Sequence, residues 1–160
     1  MYLGWALLLH GDRARGLECL EHGLERSEGA PLQWSRYGTV SAAAYLAAER
    51  LEEARRALSS GSAAMRERGA YAYRAPLLRL EAEVLLSEGD ARAALERAED
   101  ALPAAEELGS TPESGRCHIT LSRVATRLDD SAAAQRHLAA AHEILVPLGL
   151  GFWLARERDL

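Results

Sequence analysis

The sequence contains no lysine and no asparagine. Every strong cation is therefore an arginine, and no N-glycosylation acceptor exists. Cysteine is nearly as scarce, with Cys19 and Cys117 alone, where a short secreted scaffold needs several pairs. Both are read as unoxidised thiols of a reducing cytoplasm. Aromatics make up only 6% of the chain and β-branched residues are few, which removes the material from which sheets are built. There is no basic excess: 19 cations face 24 acidic residues for a formal charge of −5. Such a chain repels phosphate, which excludes nucleic acid and anionic membranes as partners of this segment. The apolar run Met1–Leu9 lacks a basic flank and meets His-Gly-Asp, which fits neither a signal peptide nor a membrane span.

What is present is a helix former's vocabulary of Ala, Leu, Arg and Glu. With 48% of the 160 residues hydrophobic and 27% charged, the chain can bury a core and is not disordered. Its most informative feature is a period of 40 residues held without a gap over 31–70, 71–110 and 111–150. Small residues recur at Ala42, Ala82 and Ser122, at Ala54, Ala94 and Ala134, and at Gly61, Ala101 and Ala141. Leu58 and Leu138 share a large slot, which Ala98 breaks, and Gly69, Gly109 and Gly149 close the copies. An earlier copy over about 1–30 fits with a two-residue slip that puts Gly4, Gly16, Leu20 and Gly23 in the same slots and Gly29 in the closing one.

Breakers at Gly11-Asp12, Gly89-Asp90 and Asp129-Asp130 divide the copies into helix pairs. Apolar spacing between breakers is helical, and nothing alternates with period two. The expected helices are 1–10, 13–28, 33–48, 51–68, 73–88, 91–108, 113–128 and 131–148, with 152–160 opening another. Asp12, Asp90 and Asp130 are expected N-caps, and Gly29, Gly69, Gly109 and Gly149 left-handed closing residues. The small slots allow the two helices of a hairpin to approach closely, as at Ala82 facing Ala94.

This pattern resembles the tetratricopeptide repeat. The slots read Ala82, Leu85, Ala94, Ala98, Ala101 in one copy and Ala42, Tyr45, Ala54, Leu58, Gly61 in another. The period is longer than the family's usual 34, and glycine replaces the usual closing proline. The long form is similar to the C-terminal tails of large bacterial regulators of the maltose-regulator type, ATPase-containing transcription activators, cyclases and kinases. The resemblance implies one domain over 1–160: an all-α, right-handed α-α solenoid of about four hairpins, with 151–160 starting an incomplete repeat of a larger chain. It implies a cytoplasmic, non-catalytic scaffold for protein–protein interaction in signalling or transcription regulation. The alternative is a sensor that closes its concave groove on a sugar or metabolite, using the aromatic cluster Trp5, Trp34, Tyr37 and Tyr45.

Catalytic and metal patterns fail on spacing. His142-Glu143 is followed at the ligand position by Val146, which is no zinc-protease helix. His137 and His142 lie about 140° apart around a helix and cannot share an ion without a third element. His118 beside Cys117 points elsewhere, and there is no nucleophile elbow or phosphate loop. No enzyme, metal or cofactor is expected.

In tetratricopeptide arrays the first helix of each hairpin lines the groove. That rule places Arg36 and Thr39, then Arg79, Glu83 and Leu86, then Arg116, Ile119 and Arg123 on an inner strip. Guanidinium forks there suit the carboxylates of an acidic protein or peptide partner. The carboxylate clamp of chaperone-binding repeats needs Asn and Lys and is not reproduced. Both ends expose repeat faces without polar caps, so self-association is expected through Trp5, Leu8 and Leu9 or through Phe152, Trp153 and Leu154.

Overall fold

The computed structural model describes residues 1–26 and 34–155. Among these residues there are nine α-helices, one 3-10 turn and no strand. The helices are α1 (Tyr2–Leu9), α2 (Arg13–Glu25), α3 (Trp34–Ala47), α4 (Leu51–Arg68), α5 (Arg74–Ser87), α6 (Ala91–Glu107), α7 (Thr111–Arg127), α8 (Ser131–Leu145) and α9 (Phe152–Ala155), with the 3-10 turn at Tyr71–Tyr73. The chain is all-α, and α1–α8 stand where the breaker spacing puts them. The expected helical residues 27, 28 and 33, the closing Gly29 and residues 156–160 lie outside the described residues.

The period is written in the backbone turns. Glu49, Gly89 and Asp129 all take positive φ, one period apart, at 58°, 89° and 60°. Gly69, Gly109 and Gly149 form the second such series, at 64°, 62° and 71°. In each turn the amide just past the left-handed residue reaches back five positions: Arg50 to Tyr45, Asp90 to Leu85 and Asp130 to Ala125, at 2.9–3.0 Å. These are helix-ending motifs that satisfy otherwise orphaned carbonyls. Glu49 and Asp129 are the exceptions in composition, since a side chain in the left-handed region costs roughly 1–2 kcal/mol. The carboxylates of Asp12, Asp90 and Asp130 accept from the amides of Arg15, Ala93 and Ala133 at 3.3, 3.0 and 2.9 Å. Arg50 occupies the same slot and makes no such cap.

The chain groups into two compact units, Met1–Leu80 and Glu81–Leu160, with the division inside α5. In the first unit α1 packs on α2, α3 packs on α4, and Leu8, Leu20, Ala44 and Ala48 form a core with Trp5 and Tyr45 at its edge. The glycines set these approaches. A Cβ added to Gly4 would lie 2.6 Å from the Gly16 carbonyl oxygen, and one on Gly38 would lie 2.6 Å from the Gly61 Cα. Neither helix pair could close with a side chain there. In the second unit Leu86, Ala94 and Val124 form one cluster, Ala82, Ala98 and Leu121 another, and Ile119, Ala141 and Leu145 a third. Ser122 donates to the Ala134 carbonyl at 2.9 Å, so these two small slots do meet at the α7–α8 crossing. Leu138 departs from its slot: Leu58 is buried, whereas Leu138 is 41% exposed. Among the described residues, only the four-residue α9 follows α8.

Candidate functional site

Three helices of the first unit line an open pocket of about 410 Å³. From α3 come Tyr37, Gly38, Ser41 and Tyr45. The positions 37, 41 and 45 fall on one helical face because four residues complete slightly more than a turn. From α4 come Glu53, Arg56, Ala57 and Ser60, again one face, and Leu24 and Glu25 of α2 complete the wall. The pocket exists beside the tightest part of the α3–α4 seam. Gly38 sits against the Ala57 carbonyl and Gly61, and Tyr37 and Tyr45 of the same helix line the pocket with it.

The electrostatics of the rim come from Arg50. Its guanidinium holds Glu53, reaches Glu21 at 2.8 Å and lies 5.5 Å from the Tyr45 ring centre. The Arg50 hydrogen bond holds the Glu53 carboxyl below the usual range, and Glu53 raises Arg50 in turn. Burial, then the Glu21 charge, raises the Tyr45 phenol. Glu53 thus stays an anion and Tyr45 a neutral hydroxyl at neutral pH, beside Arg56 at 3.9 Å from Glu53. The site offers apolar and aromatic walls with a mixed-charge rim, and its volume lies in the range of small-molecule sites.

The expected groove residues are placed as follows. Arg36 is exposed, donates to the Tyr2 hydroxyl and lies over that ring at 4.9 Å. Thr39 donates to the Ser35 carbonyl at 2.8 Å. Glu83 accepts from Thr120 at 3.0 Å, and Arg116 pairs with Glu113 at 3.2 Å while lying 4.3 Å over Trp153. Arg123 is half-buried. Arg79, at 2% exposure, is enclosed. The apolar contacts expected of Leu86 and Ile119 are made inside the second unit, where α6 and α8 cover them to 4% and 7% exposure. Small alanines at 94 and 141 let the second helices come close enough to do so.

The self-association faces shift as well. Leu8 is buried and Trp5 packs on its cluster, so the exposed large apolar residues of α1 are Tyr2 and Leu3. Trp153 and Leu154 pack against the Ile119 cluster, which leaves Phe152 exposed with Leu138, Val146 and Leu148. Of the aromatic cluster, Tyr37 and Tyr45 reach the pocket, and the side chain of Trp34 lies outside the described residues.

Two features escape a helix-by-helix reading. The pocket's polar rim is one. The other is a contact between His118 of α7 and His137 of α8, whose Nδ1 atoms lie 3.0 Å apart. No group of three or more His, Cys, Asp or Glu among the described residues is placed to hold a metal ion. No described helix is long and apolar enough to cross a membrane. No family model, curated protein or solved structure matches the chain.

Proposed function

We propose that the chain is a non-catalytic binding module of tetratricopeptide-like hairpins, arranged as a right-handed solenoid, that holds a protein or peptide partner. The observation that carries this reading is the pocket between α2, α3 and α4, with Tyr37 and Tyr45 as aromatic walls and Glu53 and Arg56 at its rim. An apolar or aromatic side chain of a partner fits such walls, and buried aromatic anchors of this kind dominate interface energetics. Arg36, exposed on the same α3, supplies a contact to acidic residues flanking the anchor. The cytoplasmic regulator tail implied by the repeat resemblance is the setting this reading adopts.

The same pocket supports a second reading, a sugar or metabolite sensor, because about 410 Å³ bounded by two tyrosines accommodates a small ring. A random-peptide display library panned on the chain tests the first. Enriched peptides should share one apolar or aromatic anchor, and Ser60→Trp, which fills the pocket from its exposed rim, should cut their capture at least tenfold. Peptides that bind the Ser60→Trp chain equally well would remove the pocket from the function. A metabolite panel that raises Tm in the wild-type chain and not in Ser60→Trp would move the conclusion to the sensor.

A further inference from the structure

The pair His118–His137 occupies slots of the α7–α8 hairpin that hold no histidine in the two preceding copies. Two periods earlier, the same slots of α3–α4 hold Gly38 and Ala57, and one period earlier they hold Leu78 and Arg97. At Gly38 and Ala57 the two backbones close directly on each other. In α7–α8 the seam instead carries two partly buried imidazoles, with centroids 5.2 Å apart, planes inclined by 32° and Nδ1 atoms facing at 3.0 Å. One turn further along α7, Ser122 holds the same seam through its bond to the Ala134 carbonyl.

We propose that His118 and His137 are a proton-operated latch on the α7–α8 hairpin, closed while the pair carries no more than one added proton and released when it takes up a second. The geometry counts the protons. A hydrogen bond between facing Nδ1 atoms needs one of them protonated and the other bare. In the neutral pair the donor ring therefore has a bare Nε2, and the acceptor ring keeps its proton on Nε2. The first added proton goes to that bare Nε2, so the bond survives and becomes charge-assisted. The only basic nitrogen left is the accepting Nδ1. A second proton there destroys the bond and sets two N–H groups, on two cations, against each other at 3.0 Å. The outcome is the same whichever ring donates.

The surroundings accept one charge in the seam and oppose two. The charged groups that face the pair are Glu106 and Glu99 from α6 and Arg136 from α8. The carboxylates favour a single cation, while Arg136 works against it. Burial, and then the opposing His137, holds His118 below the usual histidine range; burial, and then Arg136, does the same for His137. An unfolded chain takes up both protons near pH 6.5, about the ordinary histidine value, and the folded hairpin only at lower pH. Between the two the unfolded state binds more protons, so stability falls as the solution is acidified. What the pair lends to α7–α8 is complete above about pH 6.5 and is lost as pH drops through the lower folded value. Release loosens the packing that buries Ile119 against Ala141 and Leu145.

The test is amide hydrogen exchange of the full 160-residue chain at pH 7 and pH 5, expressed as protection factors, in the wild type and in His118→Asn. The asparagine puts a neutral amide where Nδ1 stood and takes up no proton. Protection around Ser122 and Ala134 should fall about fivefold more in the wild type than in His118→Asn. The hairpin α3–α4, which contains no histidine, should respond alike in both chains. Equal losses in the two chains, or a wild-type loss spread evenly over both hairpins, would overturn the latch. Should His118→Asn fail to fold, imidazole ¹⁵N spectra of the wild type from pH 8 to pH 4.5 decide. Two coupled steps, the second about one pH unit or more below the exposed His10, His22 and His142, support the latch; two independent titrations alongside those three contradict it.

Discussion

The hairpins α3–α4 and α7–α8 lie two periods apart in sequence and share a backbone plan, yet their seams are built from opposite materials. In α3–α4 glycine meets glycine: Gly38 would place a Cβ 2.6 Å from the Gly61 Cα and 2.8 Å from the Ala57 carbonyl. In α7–α8 side chains fill the seam, with Ser122 bonded to the Ala134 carbonyl and His118 against His137. The turns are nonetheless equivalent, Glu49 and Asp129 being left-handed in the same phase. Turn chemistry therefore sets the repeat, and seam residues are left to decide what each hairpin can hold. Backbone closure beside Tyr37 and Tyr45 accompanies a pocket; side-chain closure brings together two imidazoles.

The comparison breaks most sharply at Gly38. Gly38→Ala puts a methyl group against backbone that cannot move aside, and should lower unfolding stability by about 3 kcal/mol in urea titrations. Gly115→Ala meets side chains alone, Leu145 at 2.7 Å and Ile144 at 3.0 Å. Side chains can give by a few tenths of an ångström where backbone cannot, so the cost should be nearer 1 kcal/mol. Equal costs would mean that the two seams are no different in stiffness. Asp130→Ala removes the N-cap of α8 and should lose about 1 kcal/mol, while Arg50→Ala at the matching slot has no cap to lose. Smallest and of opposite sign, Asp129→Gly should gain about 0.5–1 kcal/mol by relieving the left-handed side chain, visible as a higher urea midpoint with unchanged m. A loss there would show that the Asp129 side chain holds the turn.

Solution assembly probes the same hairpin from its outer face. Leu138, Val146 and Phe152 are exposed on the second unit. Light scattering of the wild type at high micromolar concentration should report a dimer that Leu138→Gln/Phe152→Ser returns to monomer. A wild-type monomer would contradict self-association.

Helix positions could be read from the sequence because breakers and aspartate caps repeat at fixed phase, and a cap is a local interaction needing no knowledge of the fold. The left-handed Glu49 carried no compositional sign; only its phase with Gly89 and Asp129 marks it. Leu86 and Ile119 were expected on an open groove because the family rule assigns whole helices to that face. It does not specify how far Ala94 and Ala141 let neighbouring helices advance over them. His118 and His137 were legible in principle: the antiparallel pairing of Ser122 with Ala134 carries four residues along α7 to within one residue of His137 on α8. Reading each histidine against neighbours on its own helix hid that contact.

The claim that one scaffold carries two differently equipped hairpins is open to a single spectroscopic measurement. Amide ¹⁵N–¹H correlation spectra of the full chain would be recorded with and without a display-selected peptide. The peptide should shift amides of α2–α4 around Tyr37, Tyr45 and Ser60 and leave those of α7 and α8 around His118 and His137 in place. Peptide shifts centred on α7–α8 would contradict the account.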